Sequence, residues 1–320
     1  MSGSNVINGK AFEYACFSAL YDAVSRAGCN VGYTDDDAYN NAKNSYENLI
    51  TDKTRNQLDL AALTTVKLLI PLEPMLLKKD GMLNMAIAND SIAKGVGGDV
   101  RDVIFRREEN NWEMGISCKH NHEALKHPRL TKDKDFGKSW VDISCGNEYM
   151  EEITPTIDKM ADLKKKGVKW ESVDNKWEEY YIPILEAHRR EINRMCEVYT
   201  GVPARLLKYF FGARDFYKVI MNTTDKTTTI EGFNMNGTLN AACDGKKAMT
   251  RIPVIKMPSR LKETDRLNET TIELTFDEGW TVSMRLHNKD RKVTPTSLAW
   301  DVQLTGLAKG VYQNTHSWYE

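Results

Sequence analysis

Residues 97–122, GGDVRDVIFRREENNWEMGISCKHNH, constrain the fold more than any other stretch, because they pattern as two β-strands around a polar turn. Residues 100–106 are rich in β-forming side chains, residues 108–111 are polar, and residues 112–119 resume with alternating apolar and polar positions. Strand side chains alternate faces, so Glu113, Gly115, Ser117 and Lys119 share one face while Trp112, Met114, Ile116 and Cys118 share the other. On the first strand Asp102 and Ile104 point the same way. The start of one strand lies beside the end of its antiparallel neighbour, so Asp102 and Lys119 are expected to meet at one end of the hairpin. A carboxylate that holds a hard cation, next to an ammonium that stabilises an attacked phosphate, suits metal-assisted phosphodiester hydrolysis.

The 320 residues suffice for one large domain or two intimate ones. With 41% hydrophobic and 28% charged residues, the composition is that of a globular chain. The longest apolar candidate, residues 58–77, is broken by Lys67, Pro71, Glu73 and Pro74, short of the roughly 20 residues that span a bilayer. The amino terminus lacks a basic segment followed by an apolar one, so the expected location is the cytoplasm, with no membrane partner. The cysteines Cys16, Cys29, Cys118, Cys145, Cys196 and Cys243 form no CxxC pair and are expected to be separate reduced thiols. Net charge is −1, from 44 basic and 45 acidic residues, so a polyanion would have to meet clustered rather than abundant cations.

A first helix is expected over residues 9–27. Glu13 heads the series Phe17, Leu20, Val24 on one face, which points a carboxylate along an apolar stripe. Such a group needs a partner or a metal, unless it reaches water from the stripe's edge. The aspartates at 35–37 lack EF-hand spacing and read as a helix cap for residues 38–50. Further helices are expected over 57–69, 148–166, 177–199 and 203–212, and strands over 83–88, 216–222, 252–257, 271–276, 280–287 and 298–304. The glycines at 95, 97 and 98 lack the GK[ST] of a phosphate loop and read as a turn. Basic residues gather after the hairpin, from His120 to Lys138, and again between Lys246 and Lys262, where six basic residues meet no acid. A third group, Arg285 to Lys292, ends a strand. The pattern is α/β with a β-rich carboxy-terminal part, divided softly into residues 1–213 and 214–320.

Five blocks then carry a resemblance: NGKAFEYA from Asn8, GDVRDVIF from Gly98, GISCKHNHEALKHPRL from Gly115, DFGKSW from Asp135 and GWTVSMRLHN from Gly279. In this order the chain resembles the HaeIII-like family of type II restriction endonucleases, whose members cut duplex GGCC. That family is similar to the PD-(D/E)xK nucleases, in which an aspartate opens one strand and an acid-x-lysine ends the next. The resemblance implies a restriction-endonuclease-like core with a mixed central sheet flanked by helices. It implies a catalytic set of Asp102, Lys119 and Glu13, a Mg²⁺ cofactor, a double-stranded DNA substrate and a companion methyltransferase acting on the same site. The position two before the lysine, usually acidic, is Ser117. The missing oxygen ligand would come from Glu13, from the backbone carbonyl of Cys118, or from water, which makes Asp102, Glu13 and Cys118 the expected metal ligands. Glu113 lies about 20 Å along the strand from Lys119 and is too far to share the ion. Asp99 is the alternative to Asp102 as first ligand.

Asn121, His122, Lys126 and Arg129 follow the hairpin as candidate phosphate contacts, which fix register without reading sequence. Arg260, Arg285, Lys289 and Arg291 are candidate guanine readers, with Asn288 beside them. A palindromic target suggests a twofold homodimer. A DNA-binding protein without catalysis would keep the basic clusters but has no need of Asp102, Lys119 and Glu13 together. The sequence shows neither a methyltransferase's cofactor loop nor the aromatic base-stacking signature of RNA readers.

Overall fold

The computed structural model describes residues 2–89, 98–121, 125–130 and 133–318, the side chains of residues 2–4 excepted. Helix α1 (Ser2–Arg26) opens the chain. Its buried face runs through Phe12, Cys16, Phe17, Leu20 and Val24, and Glu13 is buried with them. After β1 (Asn30–Tyr33) comes α2 (Asp37–Asn44), which Asp36 caps by accepting from the Tyr39 N–H at 3.0 Å. Helix α3 (Asp52–Leu69) is capped by Thr51. Strands β2 (Met82–Ile87), β3 (Val103–Arg107) and β4 (Trp112–His120) then run antiparallel in turn. Helices α4 (Phe136–Val141), α5 (Asn147–Lys165), α6 (Ile182–Val198) and α7 (Val202–Phe211) follow.

Strands β5 (Phe216–Asn222) and β6 (Thr227–Phe233) return to the first sheet, β5 parallel to β4. Strands β7 (Leu261–Arg266), β8 (Thr271–Phe276), β9 (Thr281–Asn288) and β10 (Leu298–Gly306) make a second, antiparallel sheet, and β11 (Tyr312–Ser317) pairs with β6. The fold is therefore α/β, with a mixed seven-stranded sheet in the order β1-β2-β3-β4-β5-β6-β11 and a four-stranded one in the order β10-β9-β8-β7. Strand pairing crosses residue 214, since β5, β6 and β11 complete the sheet that β1–β4 begin.

One face of the large sheet presents Phe105, Met114, Ile116, Val219 and Ile230 to the core shared with α1 and α3. The opposite face carries Phe216 and Phe233, whose rings stack with centroids 4.8 Å apart, and Phe233 meets Phe211 of α7. Phe211 in turn stacks on Trp280 at the head of β9, which ties the second sheet to this face. The strand expected at 252–257 does not form. Pro253 and Pro258 remove donors there, and the segment is pinned by buried Ile252 and Ile255 and by the Trp280 indole donating to the Lys256 carbonyl.

Candidate active site

Asp102 sits one residue ahead of β3, where its N–H still donates to the Ile116 carbonyl at 2.7 Å, so it opens the hairpin opposite Ser117. Its Oδ2 accepts from the Cys118 N–H at 2.6 Å and from Ser117 Oγ at 3.2 Å. Lys119 Nζ stands 3.8 Å from the same oxygen. The serine that replaces an acid therefore steadies the aspartate. The two rival acids are taken by arginines. Asp99 grips the buried Arg101 through both carboxylate oxygens, at 2.6–3.0 Å. Glu113 bonds Arg101 at 2.7 Å and Arg106 at 2.5 Å. Burial opposes ionisation of Glu113, but the bonds from Arg106 and Arg101 outweigh it and hold its carboxyl below the usual range.

Glu13 is buried on α1, with Lys10 Nζ 3.0 Å from its Oε2. The Cys118 thiol, on the opposite strand face, is pushed far up by burial, then by its bond with Cys16 and by the charges of Asp102 and Glu13. Both carboxylates thus stand within electrostatic reach of one sulfur. The Cys118 side chain belongs to the buried apolar cluster, so the donor that Cys118 would offer a hard cation is its carbonyl. Among the described residues no three His, Cys, Asp or Glu side chains cluster tightly enough to hold a metal by themselves. Two carboxylates supplemented by carbonyl and water oxygens nonetheless fit a small hard cation, which keeps several waters and takes one or two acids.

A cavity of about 120 Å³ opens beside this pair, with Asn89, Asp99, Asp102, Lys119 and Lys126 in its wall. Lys126 donates to the Tyr209 carbonyl at 2.9 Å and lies over the Tyr209 ring, and burial lowers its pKa to about 8. A larger cavity of about 990 Å³ lies at the turn end of the hairpin, lined by Arg101, Arg106, Glu113 and Arg214 among others. The remaining candidates are spread more widely. Asn121 spends its side-chain oxygen on the Thr223 N–H and hydroxyl, in a turn, and His122 lies outside the described residues. Arg129 pairs with Asp290 and Arg291 with Glu171, both on the surface. Arg260, Asn288 and Lys289 are exposed, and Arg285 bonds Asp301 at 2.9 Å. Two residues absent from the sequence-derived site, His127 and Asp301, face each other at 3.6 Å near these last groups. Their pairing depends on a segment docking against β10, which no local pattern announces.

The family model of the HaeIII restriction endonuclease matches residues 9–308. The type II restriction enzyme HaeIII of Haemophilus aegyptius is 34% identical over 323 residues, covering 100% of both chains. No solved structure matches the chain.

Proposed function

The chain belongs to the HaeIII restriction endonuclease family, and from that premise we propose that it hydrolyses both strands of duplex DNA at GGCC, using Mg²⁺ held by Asp102, Glu13 and the Cys118 carbonyl. The enzyme class is that of a type II site-specific deoxyribonuclease. The observation that carries the mechanism is the hairpin end, where the Cys118 N–H and Ser117 hydroxyl orient Asp102 and place Lys119 Nζ 3.8 Å from it. When bound, the ion lowers the pKa of a water and offsets charge on the scissile phosphate.

The chain's own groups do the rest. Asp102 is fixed by two donors before substrate arrives, so its carboxylate needs no reorganisation. Lys119 presents an ammonium to the charge that develops on the phosphoryl oxygens. Asp99 and Glu113, neutralised by Arg101 and Arg106, do not repel the incoming phosphate. Lys126, in the cavity wall, and Arg129 contact flanking phosphates, as do Asn121 and His122. Arg260, Arg285, Asn288, Lys289 and Arg291, all after residue 214, meet the bases. The palindromic target is served by a homodimer, one centre per strand, and a companion methyltransferase protects the same site in the cytoplasm.

Plasmid DNA incubated with the protein and Mg²⁺ tests this reading. Discrete fragments that vanish when the plasmid is methylated at GGCC are expected. An intact plasmid in both Mg²⁺ and Mn²⁺, or fragments indifferent to methylation, would overturn it.

A further inference from the structure

The second sheet has one face in the hydrophobic core, through Ile272, Met284, Leu286, Trp300 and Val302. Residues alternate along a strand, so its other face carries Thr271, Arg285 and Asp301, which are directly opposite one another across β8, β9 and β10. The segment at 125–130 extends this sheet beyond β10. Val302 N–H donates to the Lys126 carbonyl and Trp300 N–H to the Pro128 carbonyl, which sets His127 opposite Asp301. A row of four polar side chains, His127, Asp301, Arg285 and Thr271, therefore crosses three neighbouring strands and the segment bridged to them.

Within that row Asp301 is only half satisfied. Its Oδ2 accepts from Arg285 at 2.9 Å and from Gln303 at 3.3 Å. Its Oδ1 is buried and has no hydrogen-bond partner among the described residues, with His127 Nδ1 too distant at 3.6 Å. The Asp301 side chain is 8% exposed while that of Arg285 is 58% exposed, so an acceptor lies at the floor of the row and a guanidinium stands at its rim. His287 Nε2, on the same face, is also buried without a partner among the described residues. Buried polar atoms of this kind are rare and costly, and two in one place mark a surface that is completed by something else. Burial, then the charges of Lys289, His287 and Lys119, depress His127 against the pull of Asp301, which puts the row within electrostatic reach of the candidate catalytic lysine.

We propose that Asp301 and Arg285 together read one G·C pair on its major-groove edge, Asp301 Oδ1 accepting from cytosine N4 and Arg285 donating to guanine O6 and N7. A guanine offers two adjacent acceptors, and the cytosine amino group follows them as a donor. An A·T pair interposes its donor between two acceptors and never presents that order. A fork of donors at the rim above an unpaired carboxylate oxygen matches the first arrangement once the guanidinium turns to the guanine, and β-sheets are an established way of carrying such groups into a groove. The inference rests on the nuclease reading above and adds the groups that would give it a G·C preference.

Binding to short duplexes without metal tests it. In one series each cytosine of GGCC is replaced in turn by the 2-pyrimidinone nucleoside, which lacks the 4-amino group; in another each guanine is replaced by 7-deazaguanine. The native protein is expected to lose about 5- to 150-fold in affinity at one cytosine. Asp301→Asn is expected to bind that substituted duplex and the parent duplex alike, and Arg285→Ala to lose its sensitivity to the paired guanine. Low-salt binding to random DNA reports whether each variant is folded, and the native arm stands without them. A native protein indifferent to every cytosine replacement overturns the proposal, as does an Asp301→Asn variant that keeps the native loss. If the native protein shows no preference for GGCC duplexes at all, the proposed GGCC target falls too, and the absence of any parent preference distinguishes that case.

Discussion

Glu73 shows how one side chain ties stability to pH. It is fully buried between the end of α3 and β5, where its Oε1 accepts from the Tyr217 hydroxyl at 2.7 Å and from the Asn240 N–H at 2.5 Å, while Oε2 has no partner among the described residues. Burial pushes its pKa up to about 7, against those two bonds. A folded-state pKa above the unfolded value means that the folded form keeps a proton the unfolded chain releases. The stability linked to that proton is intact below about pH 4 and is lost as pH rises through 7. Glu73→Gln keeps the accepting oxygen and removes the charge, so it is expected to gain on the order of 3 kcal/mol over the native protein between pH 4 and pH 8. Urea melts at the two pH values measure the gain, and a difference that does not change with pH would refute the assignment. At this scale legibility was uneven. Glu13 was readable in part, because helical spacing set it on an apolar stripe while leaving open that it reached water from the stripe's edge. Asp301 was not, since the sequence LAWDVQL gives a strand alternation whose outer residue looks solvated, and only His127 and Arg285 beside it make it unusual.

The hairpin is the element on which the site depends, and Gly115 keeps it in order. A Cβ at that position would lie 2.4 Å from Arg101 Cδ and 2.9 Å from its Cβ and Cγ, so the arginine lies against bare backbone there. Arg101 neutralises both Asp99, beside the hairpin's reactive end, and Glu113, towards its turn. Gly115→Ala is expected to expel it, costing about 1–3 kcal/mol of stability and slowing cleavage as the released acids repel phosphate. Denaturant midpoints and cutting rates check this, and a variant matching the native protein in both would show that Arg101 has room to move. The strands β4, β8, β9 and β10 were legible because each alternates apolar and polar residues with a buried side, and β3 and β5 because each is a short run of apolar and β-forming residues. β7 and β11, LKETDR and YQNTHS, are edge strands with little to bury, and β6 opens on a run of threonines; their pairing comes from the neighbouring strand and not from their own pattern. Conversely, residues 252–257 have the apolar content of a strand, but Pro253 inside the run and Pro258 just after it forbid the ladder.

At the scale of the whole molecule, two buried apolar clusters lie on opposite faces of the large sheet, one shared with α1–α3 and one with α4–α7 and the second sheet. The hairpin end, the segment at 125–130 and the polar face of the second sheet converge beside the small cavity that holds Asp102, Lys119 and Lys126. This convergence was invisible in the chain, because the catalytic and recognition candidates are brought together by the segment at 125–130 docking against β10, about 170 residues away. Under the proposed function this is the place where phosphate chemistry and base contacts would meet. The most direct check is a paired measurement on Asp102→Ala and Lys119→Ala, with binding to a GGCC duplex followed in EDTA and cutting of the same duplex followed in Mg²⁺. Both variants are expected to bind with near-native affinity and to cut at least about a hundredfold more slowly than the native protein; native-rate cleavage by either one would contradict the Asp102–Lys119 centre.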